Sequence, residues 1–187
     1  MMSSDSLPFT LLDLGGGEPV PGGPPRPRQQ QCGPLGLRIL ADGTWLYQGS
    51  PIGRKELVKL FSTILSRDAE GVYWMTTPVE RGTVEVDDAA FVAVELRVEQ
   101  AGQPGQTLSF RTNVDQWVVA GPQHRLRVDH DLVTGEPSPY LYIDRGLEAK
   151  IARTVFYELV ELAVPARDEQ DWIGVWSEDI FFPLGQI

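Results

Sequence analysis

Cysteine and long apolar runs are the scarcest features of this 187-residue chain. Its single cysteine, Cys32, excludes an intrachain disulfide framework and favours a reducing compartment. No run of about twenty apolar residues is present, so we expect no membrane-spanning helix. The first residues also lack the basic start and apolar stretch of a secretion signal. These absences together predict a cytoplasmic protein.

Basic residues are also few, with 16 Lys and Arg against 26 Asp and Glu and a formal net charge of −10. Non-specific nucleic-acid binding needs a basic surface that displaces counterions, so we do not expect it. The same charge argues against binding to an anionic membrane surface. Arginine accounts for 13 of the basic residues, and its guanidinium suits bidentate recognition of phosphate or carboxylate. A small anion could therefore still bind where the arginines cluster.

Enzyme motifs are scarce. There is no Gly-x-Ser-x-Gly motif, and Cys32 has no obvious base nearby in the sequence. The Asp129–Asp131 segment (DHD) should not converge on a metal, because alternate strand residues point to opposite faces. The acidic residues at 85, 87 and 88 are typical of a solvated turn. We therefore predict no catalytic residue and no metal site, and the sequence identifies no cofactor.

Residues 1–34 form an N-terminal arm that is rich in glycine and proline, including the stretch GGGEPVPGGPPRPRQQQ. This composition is unsuited to a helix or to the interior of a sheet. We therefore expect an extended or mobile arm that carries no chemistry, with regular structure beginning near Leu35.

The rest of the chain predicts an α+β protein with two domains, a small one at 35–84 and a β-rich one at 85–187. The Asp42-Gly43 pair favours a hairpin, because it accepts positive φ. Apolar residues at helical spacing predict one helix that includes Leu57–Leu65 and a second within Lys150–Val164. Most remaining segments alternate between apolar and polar residues as strands do.

A repeated pentapeptide suggests that the two domains arose by duplication. Glu56–Leu60 (ELVKL) returns as Glu158–Leu162 (ELVEL), an offset of 102 residues. Each copy is followed by an Arg-Asp loop, a Gly-Val pair, a tryptophan-containing strand and a proline. We therefore predict two related helix-on-sheet units, and seams between domains commonly hold ligands.

The stretch YQGSPIGRKELVKLF resembles a phosphate-binding loop only superficially. Three residues separate Gly49 and Gly53, and no hydroxyl residue follows for a magnesium ion. We expect instead a helix capped by Ser50. Arg54 and Lys55 then lie in its first turn, where backbone N–H groups and the helix dipole favour an anion.

A second group of basic residues lies further along the chain. Arg111 ends a predicted strand, and the next loop supplies His124, Arg125 and Arg127. His124 could exchange a proton near neutral pH, although a loop histidine bonded to a backbone carbonyl is the alternative. The tryptophans are expected mainly in the core, with Trp45 and Trp176 as candidate stacking surfaces for a base.

Several stretches together resemble a bacterial family known only as domain of unknown function 1285. The similarity extends from about Cys32 to Gly185. It rests on the order of these segments along the chain: DGTWLYQGSPIGRKELVKLF, TPVE, DAAFVAVE, FRTN, GPQHRLR, PYLYIDRGLEAKIAR and GVWSEDIFFPLG. The resemblance implies two domains related by duplication, the second superficially similar to a pleckstrin-homology domain. It also implies a nucleotide-like ligand at the domain interface and a role in signal transduction.

These observations predict a non-enzymatic binding or sensing protein for a small anionic, nucleotide-like ligand at the domain interface. The expected anion contacts are Arg54, Lys55, Arg111, His124 and Arg127. The alternative is a protein-interaction adaptor that binds a peptide along a sheet edge and takes no small ligand. A hydrolase would need His124 beside a carboxylate and a nucleophile. The ligand, the partner and the oligomeric state stay open.

Overall fold

The computed structural model describes residues 30–166 and 171–186. Residues 1–29 of the expected arm lie outside this part of the chain. The described elements are β1 Gln30–Ile39, β2 Trp45–Tyr47, β3 Ser50–Pro51, α1 Lys55–Thr63, β4 Leu65–Arg67, β5 Tyr73–Thr76, β6 Glu80–Val86, β7 Phe91–Glu99, β8 Thr107–Thr112, β9 Trp117–Val119, β10 Leu126–His130, β11 Pro137–Asp144, β12 Leu147–Ile151, α2 Arg153–Glu161, β13 Val164–Pro165, β14 Trp172–Ser177 and β15 Ile180–Gln186. The α+β prediction is confirmed.

The first domain is a six-stranded sheet in the order β3-β2-β1-β6-β5-β4, with α1 against it. The predicted hairpin at Asp42-Gly43 is present, since β1 and β2 pair in antiparallel register with Ile39 opposite Trp45. Within the described residues a strand is already present at Gln30, before the expected Leu35, because the start of β1 pairs in parallel with β6.

Helix α1 begins later than expected. Ser50 and Pro51 form β3, which pairs with β2, so the expectation of Ser50 as the N-cap is wrong. The N-cap is Arg54, and no side chain caps the helix there. Val58 and Phe61 are buried on the inner face of α1, where the Phe61 ring packs 6.4 Å from the Trp45 ring.

The second domain contains a six-stranded sheet in the order β10-β11-β12-β7-β8-β9 and a three-stranded sheet, β13-β14-β15. The shorter sheet packs against β8 and β10, so the two curl into a half-barrel. Helix α2 covers β7 and β14 with Val155, Phe156 and Leu159. Neither helix in the described residues is long and apolar enough to span a bilayer.

The two domains repeat one order of helices and strands. The offset between the matching elements differs from the offset between the two copies of the pentapeptide. A nine-residue helix, a short strand and an antiparallel hairpin follow one another in both domains. The helices begin at Lys55 and Arg153, which is an offset of 98 residues. The pentapeptides are therefore displaced by four residues, about one helical turn. At the structural offset, buried Val58 and Phe61 correspond to buried Phe156 and Leu159.

The Ser177 hydroxyl joins the two sheets of the second domain. Ser177 is fully buried, and its Oγ accepts a hydrogen bond from Leu108 N at 2.9 Å and donates one to Ala120 O at 2.6 Å. It thereby bridges the end of the β8–β9 ladder. The adjacent Glu178 N also donates to Gln106 O at 3.0 Å.

Replacing Ser177 with alanine should lower the free energy of unfolding by about 1–3 kcal/mol, because a buried donor and a buried acceptor lose their partner. Chemical denaturation measures this loss. Ser109→Ala is the matched control, since half-buried Ser109 in β8 makes no side-chain hydrogen bond with the described residues. The control should change stability by less than about 0.5 kcal/mol. Equal effects of the two substitutions would contradict the bridging role of Ser177.

Candidate functional site

A cluster of cations lies where the first domain meets the second. Lys55 and Lys59 project from α1 towards the turn between β8 and β9. Their Nζ atoms lie 2.8 and 3.0 Å from the carboxylate oxygens of Asp115. Arg111, at the end of β8, places Nη1 3.0 Å from the same carboxylate. The fold thus brings Lys55 and Arg111 together across the domain seam.

Carboxylates already neutralise this cluster. Arg111 also donates from Nε to Glu95 at 2.6 Å, and this hydrogen bond is the main cause of its raised pKa. Hydrogen bonds from Lys55 and then Lys59 hold the pKa of Asp115 well below its ordinary value. Asp115 therefore occupies the position that a ligand anion would take between these cations.

Other seam contacts use polar groups of the same two domains. Arg145, in the β11–β12 turn, donates to the carbonyl oxygens of Thr63 and Ser62 at the C-terminal end of α1. A cation at this end of a helix complements the helix dipole. Asn113 Nδ2 donates to Gly43 O at 3.1 Å, which joins the β8–β9 turn to the β1–β2 hairpin. Helix α1 is therefore held between two turns of the second domain.

Two of the expected site residues, Trp45 and Arg54, do not take part in the Asp115 cluster. Trp45 is 2% exposed and packs in the core, so it offers no face for stacking and that expectation is wrong. Arg54 is exposed at the start of α1 and forms no ion pair with a described residue. It lies beside the Asp115 cluster along the chain.

The structure does not bring Arg127 and His124 to the Asp115 cluster. Arg127, in β10, forms a bidentate ion pair with Glu148 at 2.8 Å and a second pair with Asp129. Its guanidinium carbon also lies 4.4 Å from the centre of the Tyr140 ring. His124 Nδ1 lies 3.3 Å from the backbone oxygen of Tyr142. This contact agrees with the alternative prediction for His124, a loop histidine bonded to a backbone carbonyl.

Tyr140 links this surface to further charged groups. Its hydroxyl donates to Asp88 Oδ1 at 2.8 Å, and Lys150 pairs with the other oxygen of Asp88. Burial, followed by the hydrogen bond to Asp88, raises the pKa of Tyr140 to about 12. The cations on this face are therefore also paired, and the described residues contain no cluster of three or more His, Cys, Asp or Glu that could hold a metal ion.

A cleft of about 350 Å³ opens between β10 and β15, the adjoining edges of the two sheets in the second domain. We call it the β10–β15 cleft. Arg125 and His130 contribute basic groups, and neither forms an ion pair with a described residue. Trp172 and Phe181 contribute aromatic groups. Of the predicted anion contacts, Arg127 alone lines this cleft.

The sequence analysis missed the residues that decide the character of these sites. Asp115 reads as one more turn carboxylate in FRTNVDQW, and only the fold reveals that three cations surround it. Arg125 belonged to the basic loop but was not among the expected contacts. Trp172 was assigned to the core, although it is half-buried at the cleft.

Two family models match consecutive parts of the chain. The model for the N-terminal domain of DUF1285, a domain of unknown function, matches residues 26–89. The model for the C-terminal domain of the DUF1285 protein of unknown function matches residues 90–184. No functionally curated protein matches the chain.

Two crystal structures of DUF1285 family proteins are similar to this chain. The protein from Silicibacter pomeroyi DSS-3 is 44% identical, with a TM-score of 0.77 over 86% of this chain and 85% of that one. The protein from Shewanella baltica OS155 is 28% identical, with a TM-score of 0.53 over 68% of this chain and 91% of that one. These similarities support the two-domain architecture of the chain.

The Asp115 cluster makes a prediction about pH and salt. Asp115→Asn should lower the melting temperature at neutral pH, because three clustered cations lose their counterion. Asparagine tolerates the positive φ of 64° at this position, so the charge is the main change. Since the folded-state pKa of Asp115 is depressed, its contribution is present above about pH 4 and is lost as pH falls further.

Thermal melts of both proteins between about pH 7 and pH 2 check this linkage. The difference in melting temperature should shrink below about pH 4. It should also shrink in about 1 M salt, where the Debye length is about 3 Å. Glu99→Gln, which removes an exposed carboxylate of β7 that forms no ion pair with a described residue, should change little. A difference between wild type and Asp115→Asn that persists unchanged at low pH would contradict the electrostatic role.

Proposed function

Because the chain belongs to the DUF1285 family, whose function is open, we propose a function from its own side chains: a non-enzymatic binding or sensing module for a small anionic ligand. The ligand carries an anionic group and a planar, nucleotide-like group. We assign it to the β10–β15 cleft rather than to the domain interface. The observation that carries this proposal is the presence of unpaired basic side chains beside aromatic ones in that cleft.

The pairing of the basic side chains favours the β10–β15 cleft over the domain seam as the anion site. At the seam, Lys55, Lys59 and Arg111 share Asp115, so an incoming anion would compete with a carboxylate held at 2.8–3.0 Å. In the cleft, Arg125 has no carboxylate partner among the described residues. An anion can pair with Arg125 without displacing one. Arg127 supplies no free positive charge there, because Glu148 and Asp129 already bind it.

The opposite wall suits the planar part of the ligand. Trp172 and Phe181 line the cleft, and both are half-buried, so part of each ring is accessible. Aromatic side chains stack on planar groups, and one such base–aromatic contact is worth about 1–3 kcal/mol. The volume of about 350 Å³ lies near the lower end of ordinary small-ligand sites.

A matched pair of arginine variants tests where the anion binds. The probes are nucleoside monophosphates, in calorimetric titrations with inorganic phosphate as the comparison. Arg125→Ala should weaken binding about tenfold to a hundredfold, because a charge-assisted contact is worth about 1.5–3 kcal/mol. Arg54→Ala removes an exposed, unpaired arginine at the seam and should leave the affinity unchanged.

The reverse result, with Arg54→Ala weakening binding and Arg125→Ala having no effect, would place the ligand at the domain interface. Tight binding of inorganic phosphate alone would show that the aromatic wall contributes nothing. Absence of binding by every nucleotide would overturn the anionic-ligand function.

A cytoplasmic protein-interaction adaptor is the second candidate, and the exposed edge of β9 favours it. Trp117 and Val119 are 38% and 36% exposed on this edge strand. The hydrogen bonds Thr112 N to Gln116 O and Ala120 N to Leu108 O fix the register of the β8–β9 hairpin. Backbone groups of Trp117 and Val119 therefore face away from β8. A pleckstrin-like second domain could add a peptide strand here and take part in signalling.

Affinity capture distinguishes the adaptor from the binding module. A protein partner retained by wild type and by Arg125→Ala, but lost with Val119→Pro, would support edge binding at β9. A partner retained by all three proteins would exclude it.

A further inference from the structure

A second and larger cavity lies beside the turn of the β14–β15 hairpin. Its volume is about 810 Å³, within the range of ordinary small-molecule sites. The loop between β7 and β8 forms one wall, with Pro104 among its residues. Leu162 and Val164, which follow α2, form a second wall, and Trp176 and Asp179 of the hairpin complete it. We call it the Trp176 cavity.

Hydrogen bonds to Gln106 fix the loop that covers this cavity. Gln106 is 8% exposed, and its side chain accepts from Gly102 N and donates to the backbone oxygen of Trp176, both at 2.7 Å. The backbone oxygen of Gln106 accepts from Glu178 N at 3.0 Å. The loop is thereby fastened to the hairpin at Gln106, which limits the ordering that a ligand would have to impose on the cavity.

The lining is apolar apart from backbone groups, Gln103, Gln106 and one carboxylate. Asp179 is exposed at the rim and forms no ion pair or hydrogen bond with a described residue. No Lys, Arg or His lines the cavity among the described residues. Among the described residues an anion would therefore meet a carboxylate and no cation there, whereas a cation would gain a partner. Trp176 adds an aromatic ring, a side chain that attracts cations over its face.

From this arrangement we propose that the Trp176 cavity binds a ligand with an apolar body and one positively charged nitrogen, an ammonium or a guanidinium group. Asp179 pairs with the nitrogen, and the apolar body lies among Leu162, Val164 and Trp176. This chemistry is shared by free amines and by Lys or Arg side chains in an apolar peptide.

The Trp176 cavity is separate from the β10–β15 cleft. It selects the opposite charge, and the two sites share no lining residue. Trp176 lines one site, Phe181 lines the other, and their ring centres are 5.3 Å apart across the hairpin. The inference does not depend on the anionic ligand, because different residues form the two sites.

The test titrates phenethylamine and the uncharged phenethyl alcohol into the full chain, by calorimetry and by tryptophan fluorescence. Asp179→Asn removes the charge while keeping the hairpin turn, because Asn also tolerates the positive φ of 59° at this position. Glu178→Gln is the matched control. It removes one charge from the neighbouring turn residue, which does not line the cavity.

We expect phenethylamine to bind at least about tenfold more weakly to Asp179→Asn than to wild type, in line with one charge-assisted contact. Glu178→Gln should bind like wild type, and phenethyl alcohol should bind all three proteins equally weakly. The fluorescence response to the amine should disappear in Trp176→Phe. Equal amine affinity in wild type and Asp179→Asn would overturn the proposal, as would a response that survives in Trp176→Phe.

A further arm distinguishes the two sources of this chemistry. The blocked dipeptide N-acetyl-Phe-Arg-amide is titrated beside phenethylamine, with N-acetyl-Phe-Gln-amide as its uncharged control. Tighter binding of the Arg dipeptide than of the amine, again lost in Asp179→Asn, identifies a basic apolar peptide as the ligand class. Binding of the amine alone identifies a free amine. Absence of binding by both cationic probes overturns the site.

Discussion

The attachment of α1 to two turns of the second domain is the constraint on which the rest of the structure depends. Asp115 in one turn binds Lys55 and Lys59 on the helix, and Arg145 in the other binds carbonyl oxygens at its C-terminal end. These contacts hold the first domain in one orientation through charge and hydrogen-bond geometry. The apolar inner face of α1 does little to fix this orientation, because hydrophobic contacts are not directional.

This attachment also decides which cations remain for a ligand. The chain has 26 acidic residues against 16 basic ones, so most Lys and Arg side chains can find a carboxylate when the chain folds. Arg111 and Arg127 both do so. Arg125 does not find one among the described residues, because it follows the turn before β10 at the open edge of the sheet. In this acidic protein, a basic side chain at a sheet edge beside a cleft, such as Arg125, can therefore bind a ligand anion.

Much of the fold could be predicted because it rests on local patterns. Helical spacing of apolar residues located α1 and α2, and the Asp-Gly pair located the first hairpin. The similarity of the two sheet domains could also be predicted, although the pentapeptides are displaced by four residues from the matching helix positions. This displacement hardly affects the prediction of two related helix-on-sheet units, because residues one turn apart lie on nearly the same face of a helix. The N-cap at Ser50 failed because pairing of β3 with β2 delayed the helix until Lys55.

The sequence by itself determined the fold class and the acidic character with scattered arginines, since these follow from composition and short-range periodicity. The family followed from the resemblance of several segments in one order along the chain. Only the tertiary structure decided which charged groups are neighbours. Lys55 and Asp115 are 60 residues apart in the chain but 2.8 Å apart in space. It also buried Trp45 and placed Trp176 at a cavity wall. The reason is physical: charge pairing and cavity shape depend on distances of a few ångströms between distant segments, and local sequence does not encode those distances.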